Sequence, residues 1–200
     1  MVDPDPEKVE KLQAALAAYE AGEGRGQLFD RTEEEALAPV HKRALGLLDQ
    51  RARSRVELRD RLLRAEFDAA LVDTVLDRLE GSGLIDDDAF AREWVRQRAA
   101  RRGKSVAALD NELRGKGVGE SARAAALEQI SPADEESAAR AVATKKARSV
   151  KTPPADRAEY DKHLRRIIGV LARRGYGSGM SMRISREVLD ERIAELGDDA

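Results

Sequence analysis

Three groups of residues in this 200-residue chain have types that could do chemistry. The first is Asp86-Asp87-Asp88, within "GLIDDDAF", a run of carboxylates of the kind that ligates hard cations. A cation needs ligands converging from several directions, whereas consecutive helical residues diverge by ~100° each. The spacing is not that of an Asp-x-Asp-x-Asp-Gly loop, and no acidic cluster recurs at the matching points farther along. The run instead predicts a helix start, with Asp86 or Asp87 as N-cap and the others favouring the positive end of the helix dipole. The second group is His41 and His163. Neither has a His or Cys partner at ligand spacing, so both read as solvated helical residues. The third is "GYGSG" (175–179), whose glycines follow a helix rather than a strand. That context predicts a helix stop and turn, not a phosphate cradle. No nucleophile elbow or Walker-type stretch is present, so neither enzyme chemistry nor a cofactor is expected.

Charge is the remaining signal. Residues 92–117 carry 8 Lys/Arg against 3 acids, residues 140–174 carry 11 against 3, and residues 42–66 carry 8 against 4. The net charge of -2 hides this, because residues 1–38 carry 4 Lys/Arg against 10 Asp/Glu. Cations on one surface attract phosphates or an acidic protein. The candidates are Arg92, Arg96, Arg98, Arg101, Arg102, Lys104, Arg114 and Lys116, then Lys145, Lys146, Arg148, Arg165, Arg166, Arg173 and Arg174. Arg51, Arg53 and Arg55 are weaker candidates, readable as parts of a helix turn. Trp94, Phe67 and Phe90 sit in apolar columns, which leaves few aromatics for stacking on bases.

The elements that must carry these residues are helices. Aromatics are 4% of the chain and charged residues 37%, with Ala, Leu, Arg and Glu dominant. There is no Cys, which excludes disulfides and thiolate sites and fits a reducing cytosol. No apolar run approaches the ~20 residues of a membrane span. The acidic start lacks a signal-peptide core, which predicts a cytoplasmic protein. Residues 7–21 suit a helix, and "GEGRGQ" then breaks it as a linker.

From residue 33 the helices repeat. "ELRDRLLRAEFD" (57–68), "ALDNELRGKGVG" (108–119) and "RIIGVLARRGYG" (166–177) align on Phe67, Val118 and Tyr176. Four further apolar columns agree: Leu58, Leu109, Ile167; Leu62, Leu113, Leu171; Val75, Ala126, Ile184; and Leu79, Ile130, Val188. An earlier helix precedes each, at about 33–50, 87–102 and 133–148. The expected fold is all-α, with three tandem three-helix repeats in an elongated, curved array. The expected boundaries are 1–38 for an acidic extension, then repeats at 39–87, 88–132 and 133–196. Ser54 with Glu57 reads as a capping box, Asp68 as a cap, Gly81 as a stop, and Ser131-Pro132 as a helix start.

The runs "ALGLLDQRARSRVELRDRLL", "FD", "VLDRLEGSGLIDDDAFAREWVRQRA" and "LDNELRGKGV" resemble the bacterial regulatory family RecX, over about residues 40–174. The resemblance implies regulation of DNA repair and recombination rather than catalysis. It implies a partner, the RecA recombinase and its filament on DNA, with suppression of ATP hydrolysis, strand exchange and co-protease activity. A monomer lying in the filament groove and touching DNA is the implied mode. The sequence departs from the family in its leader and in "GYGSGMSMRISREVL". Two other readings fit the residues: a direct DNA-binding protein with helix-turn-helix-like units at 105–116 and 120–130, and a helical scaffold for another protein.

Overall fold

The structure, a computed structural model, describes residues 31–198, with only the backbone described for 31–33, 100–102 and 198. The helix expected at 7–21 and the linker after it lie outside the described residues. Among the described residues, those from Val40 onward form one compact unit. Among the described residues there are nine helices and no strand: α1 (Arg31–Gln50), α2 (Arg55–Leu63), α3 (Ala69–Gly81), α4 (Asp87–Arg102), α5 (Val106–Arg114), α6 (Glu120–Leu127), α7 (Pro132–Ala147), α8 (Arg157–Ala172) and α9 (Ser178–Asp198). They form an all-α helical repeat, three helices to a unit.

Local chemistry sets the ends. Ser54, Asp68, Asp86, Ser105, Ser131 and Asp156 each accept a hydrogen bond from a free N–H in the first turn that follows. Asp86 is thus the N-cap of α4, as the aspartate run predicts, accepting from Ala89 N at 2.8 Å. Ser131 and Asp134 close a full capping box. The box expected at Ser54 is only half made. Ser54 Oγ accepts from Glu57 N, but the Glu57 carboxylate turns to Lys116 and Arg51 instead. Gly81 ends α3 as its last residue, and the left-handed turn falls to Gly83.

Thirteen of the fifteen residues in the aligned columns are buried; Phe67 and Ile130 are half-buried. Leu109, Leu113, Val118 and Ala126 centre the core of the second repeat, with Phe90, Ala91 and Val95 from α4. Ile167, Leu171, Tyr176, Ile184 and Val188 centre that of the third, against Ala139, Ala143 and Ala147 of α7. Apolar burial of this kind is the main stabilising term, since short helices are marginal alone. His163, expected in solvent, is half-buried on α8, with Nε2 3.9 Å from Glu159.

The repeats meet through a joint that occurs twice. The first backbone N–H of a unit's second helix is capped by an acid from the next unit's first helix. Asp87 Oδ1 accepts from Arg55 N at 2.9 Å, and Glu135 Oε1 accepts from Val106 N at 2.8 Å. The turn after the next unit's second helix adds a carbonyl. Lys116 O accepts from Ser54 Oγ at 2.6 Å, and Arg174 O accepts from Ser105 N at 3.1 Å. A glycine follows the residue that supplies each accepting carbonyl: Gly117 at φ +74 and Gly175 at φ +88. A Cβ there would lie 2.3 Å from Val56 and 2.6 Å from Ala108 respectively, so both positive φ and close approach require glycine. The first unit holds Glu66 at the matching position, exposed and at φ 63.

Candidate functional site

The cations predicted as a binding surface separate into two populations. In the second repeat most are held by carboxylates of the same chain. Glu112 on α5 accepts from Trp94 Nε1 at 3.0 Å and pairs with Lys104 and with Arg98. The Arg98 guanidinium lies 3.6 Å from the Trp94 ring centroid, a cation–π stack, and Lys116 Nζ lies 4.2 Å from it. Burial pushes the Glu112 carboxyl up, but hydrogen bonds from Lys104 and Trp94 prevail and hold it below the usual range. Lys116 also reaches back across the joint to Glu57 at 2.6 Å. Burial pushes Glu57 up as well, yet hydrogen bonds from Arg51 and Lys116 bring it down to about 2. Both partners are largely shielded from solvent, so this pair is screened less than a surface pair.

Arg114 bonds Asp110 at 2.8 Å, which Arg123 shares at 2.8 Å, and Arg96 pairs with Glu93 at 2.7 Å. Arg92 is exposed without an ion-pair partner among the described residues. The side chains of Arg101 and Arg102 lie outside the described residues. In the first repeat Arg51 holds Glu57 at 3.1 Å, and Arg55 holds Asp77 at 2.5 Å and Glu80 at 2.8 Å. Arg53 is buried.

The third repeat differs. Lys145 and Lys146 in the last turn of α7, Arg148 at its C-cap, and Arg165, Arg166 and Arg173 on α8 make no ion pair among the described residues. Lys151 and Lys162, which charge counting did not single out, are exposed and unpaired in the same way. Lys145, Lys146 and Arg174 line an open cleft of about 550 Å³ that also contains Gly103 and Val170. Arg174 serves the joint through its carbonyl. Glu136, Glu187 and Glu191 of this repeat are engaged on Arg140 and Arg183 between α7 and α9, Asp161 on Arg157 and Glu195 on Arg192. This arrangement leaves a set of cations whose counter-charges must come from solvent or a partner. Among the described residues no three His, Asp or Glu gather as a metal site, and no helix is long and apolar enough to cross a membrane.

Tandem three-helix units capped across their joints, with cations displayed on them, define an all-α helical-repeat protein. Its family is shown by comparison with known proteins. A model described as the first three-helix domain of RecX matches residues 41–79, and one for the second matches 86–127. A regulatory protein RecX of Corynebacterium efficiens is 57% identical over 94% of this chain and 91% of its own length. Those of Thermobifida fusca and Streptomyces lividans are 37% and 40% identical, over 82% and 78% of this chain and 85% and 81% of their own lengths. The chain belongs to the RecX family of regulatory proteins. Two solved RecX structures share the fold. One has TM-score 0.68 and 24% identity, with 81% of each chain covered. The other, from Lactobacillus salivarius, has TM-score 0.66 and 21% identity, with 79% of this chain and 99% of that one covered.

Proposed function

We propose that this protein binds the RecA recombinase and its filament on DNA, and restrains its recombinase, ATPase and co-protease activities. It acts in the cytoplasm, as a monomer, by contact rather than by catalysis. The observation that carries the reading is the set of unpaired cations on α7 and α8, presented by a member of a regulatory family. Cations whose counter-charges are missing give up little on meeting an acidic surface or a phosphate. Those of the second repeat would first have to leave a carboxylate. The third repeat therefore takes precedence over the second as the attachment surface.

The test is RecA's DNA-dependent ATPase with increasing amounts of this protein, alongside co-sedimentation with the filament. Falling ATPase and co-sedimentation are expected; unchanged ATPase with no co-sedimentation overturns the reading. The same cations favour a second reading, direct DNA binding. It requires affinity without RecA that falls with salt at a slope of about -0.7 to -0.9 per phosphate contacted.

A further inference from the structure

Arg53 stands apart from every other arginine described above. It lies between α1 and α2 and is 5% exposed. Its Nε donates to Leu47 O at 3.0 Å and its Nη2 to Gln50 Oε1 at 3.3 Å, while Nη1 has no partner among the described residues. None of these acceptors is a carboxylate. Glu57 acts on it only through space, without a hydrogen bond, so this buried cation is held at a cost, having lost water and gained no contacting anion. Arg51 does not relieve it, because Arg51 is itself a cation engaged with Glu57.

Arg53 lines a cleft of about 730 Å³ where the first and second repeats meet. The rest of the wall is mixed. Ala52, Leu84, Ala89, Phe90 and Trp94 supply apolar surface, and Leu84 is 55% exposed, an unusual state for a large aliphatic side chain beside a cleft. Asp86 and Glu93 also border it, as do Arg51, Arg98 and Lys116. Those three cations are already paired with Glu57 or Glu112, so Arg53 is the lining cation left without an ion pair, and its charge matches one carboxylate rather than a polyphosphate strand.

We propose that this cleft recognises a protein segment offering one carboxylate beside an apolar side chain. The carboxylate sits at the Arg53 end and supplies the contacting counter-charge that Glu57 does not. The apolar side chain covers Leu84 and packs toward Phe90 and the edge of Trp94. Backbone groups of the segment remain at the open mouth of the cleft, in water. The site requires neither DNA nor the third-repeat cations, and it stands or falls separately from the reading above.

Trp94 is the one tryptophan of the chain, so its fluorescence reports on this cleft. The full chain is titrated with the peptides acetyl-Leu-Leu-Asp-amide and acetyl-Leu-Leu-Asn-amide, and with a short oligothymidylate. The aspartate peptide is expected to give a saturable change about tenfold tighter than the asparagine peptide, the worth of a charge-assisted contact. Leu84→Ser, at an exposed position that spares the fold, weakens the aspartate peptide about fivefold. Arg53→Gln removes the preference for aspartate over asparagine, and circular dichroism checks that this variant is folded. Equal affinity for the two peptides, or no response at millimolar peptide, overturns the proposal. Tighter binding of the oligothymidylate, displaced by neither peptide, also overturns it in favour of a phosphate site. If Arg53→Gln fails to fold, the Leu84→Ser result and the aspartate preference decide alone.

Discussion

The second and third repeats have the same helices, the same buried columns and comparable numbers of cations, yet they use those cations differently. In the second, Lys104, Arg98, Lys116, Arg114 and Arg96 each find a carboxylate, and Trp94 lies against two of them. In the third, Lys145, Lys146, Arg148, Arg165, Arg166 and Arg173 have none among the described residues. Acid content does not explain this. Both repeats contain acids, but those forming arginine ion pairs in the third meet Arg140 and Arg183 across the α7–α9 contact, or Arg157 and Arg192 on their own helices. The placement of counter-charges, rather than the number of cations, separates a surface that holds itself together from one available to a partner.

The largest test of the parallel is in the cores. Leu113→Ala and Leu171→Ala remove fully buried side chains at matching positions, and each is expected to cost about 2–5 kcal/mol in chemical denaturation. Values far apart would mean that the two cores are not equivalent. Next is the joint. Gly175→Ala forces a Cβ against Ala108 in a left-handed turn and is expected to cost about 1–3 kcal/mol. Glu66→Gly, at the matching but open position, should instead be neutral or stabilise by up to about 1 kcal/mol, read by the same denaturation curves.

The charge contrast is tested by reversal. Lys145→Glu with Lys146→Glu is expected to weaken filament co-sedimentation about tenfold, against little change for Arg96→Glu. The reverse ranking would return the attachment surface to the second repeat. A smaller effect is confined to acid. Glu57 has its folded-state carboxyl at about 2 against 4.5 unfolded, so its contribution is complete above pH 4.5 and is lost as pH falls toward 2. Glu57→Gln should flatten the acid-unfolding curve in that window. The smallest is Arg96→Ala, an exposed pair whose loss should leave the denaturation midpoint where it was.

Much of the fold was legible because it rests on apolar residues at fixed spacing. Leu62, Leu113 and Leu171 sit in the same place in three cores, and spacing alone aligns them. Asp86 as a cap was legible for a similar reason, since capping is local. The joints were not. Asp87 caps a helix that begins 32 residues earlier, and Lys116 meets Glu57 across 59 residues. Only the packed structure brings those partners together. That is also why Glu57 read as half of a local capping box. Counting charge found the basic clusters but could not tell which cations were already neutralised, and Arg53 looked like one more turn residue until its burial was known.

Glu66 gives the stack a direction. Every unit that follows another bears glycine at this position, because the turn there presses on the helix before it. The first unit bears a charged side chain in the same backbone conformation. Duplication of a unit can therefore lengthen the chain after the first member, where glycine is already in place. A unit packed ahead of the first would press its helix on the glutamate. One side chain thus marks the first unit as an end of the stack, with room at its turn for a charge that the later joints have no space to hold.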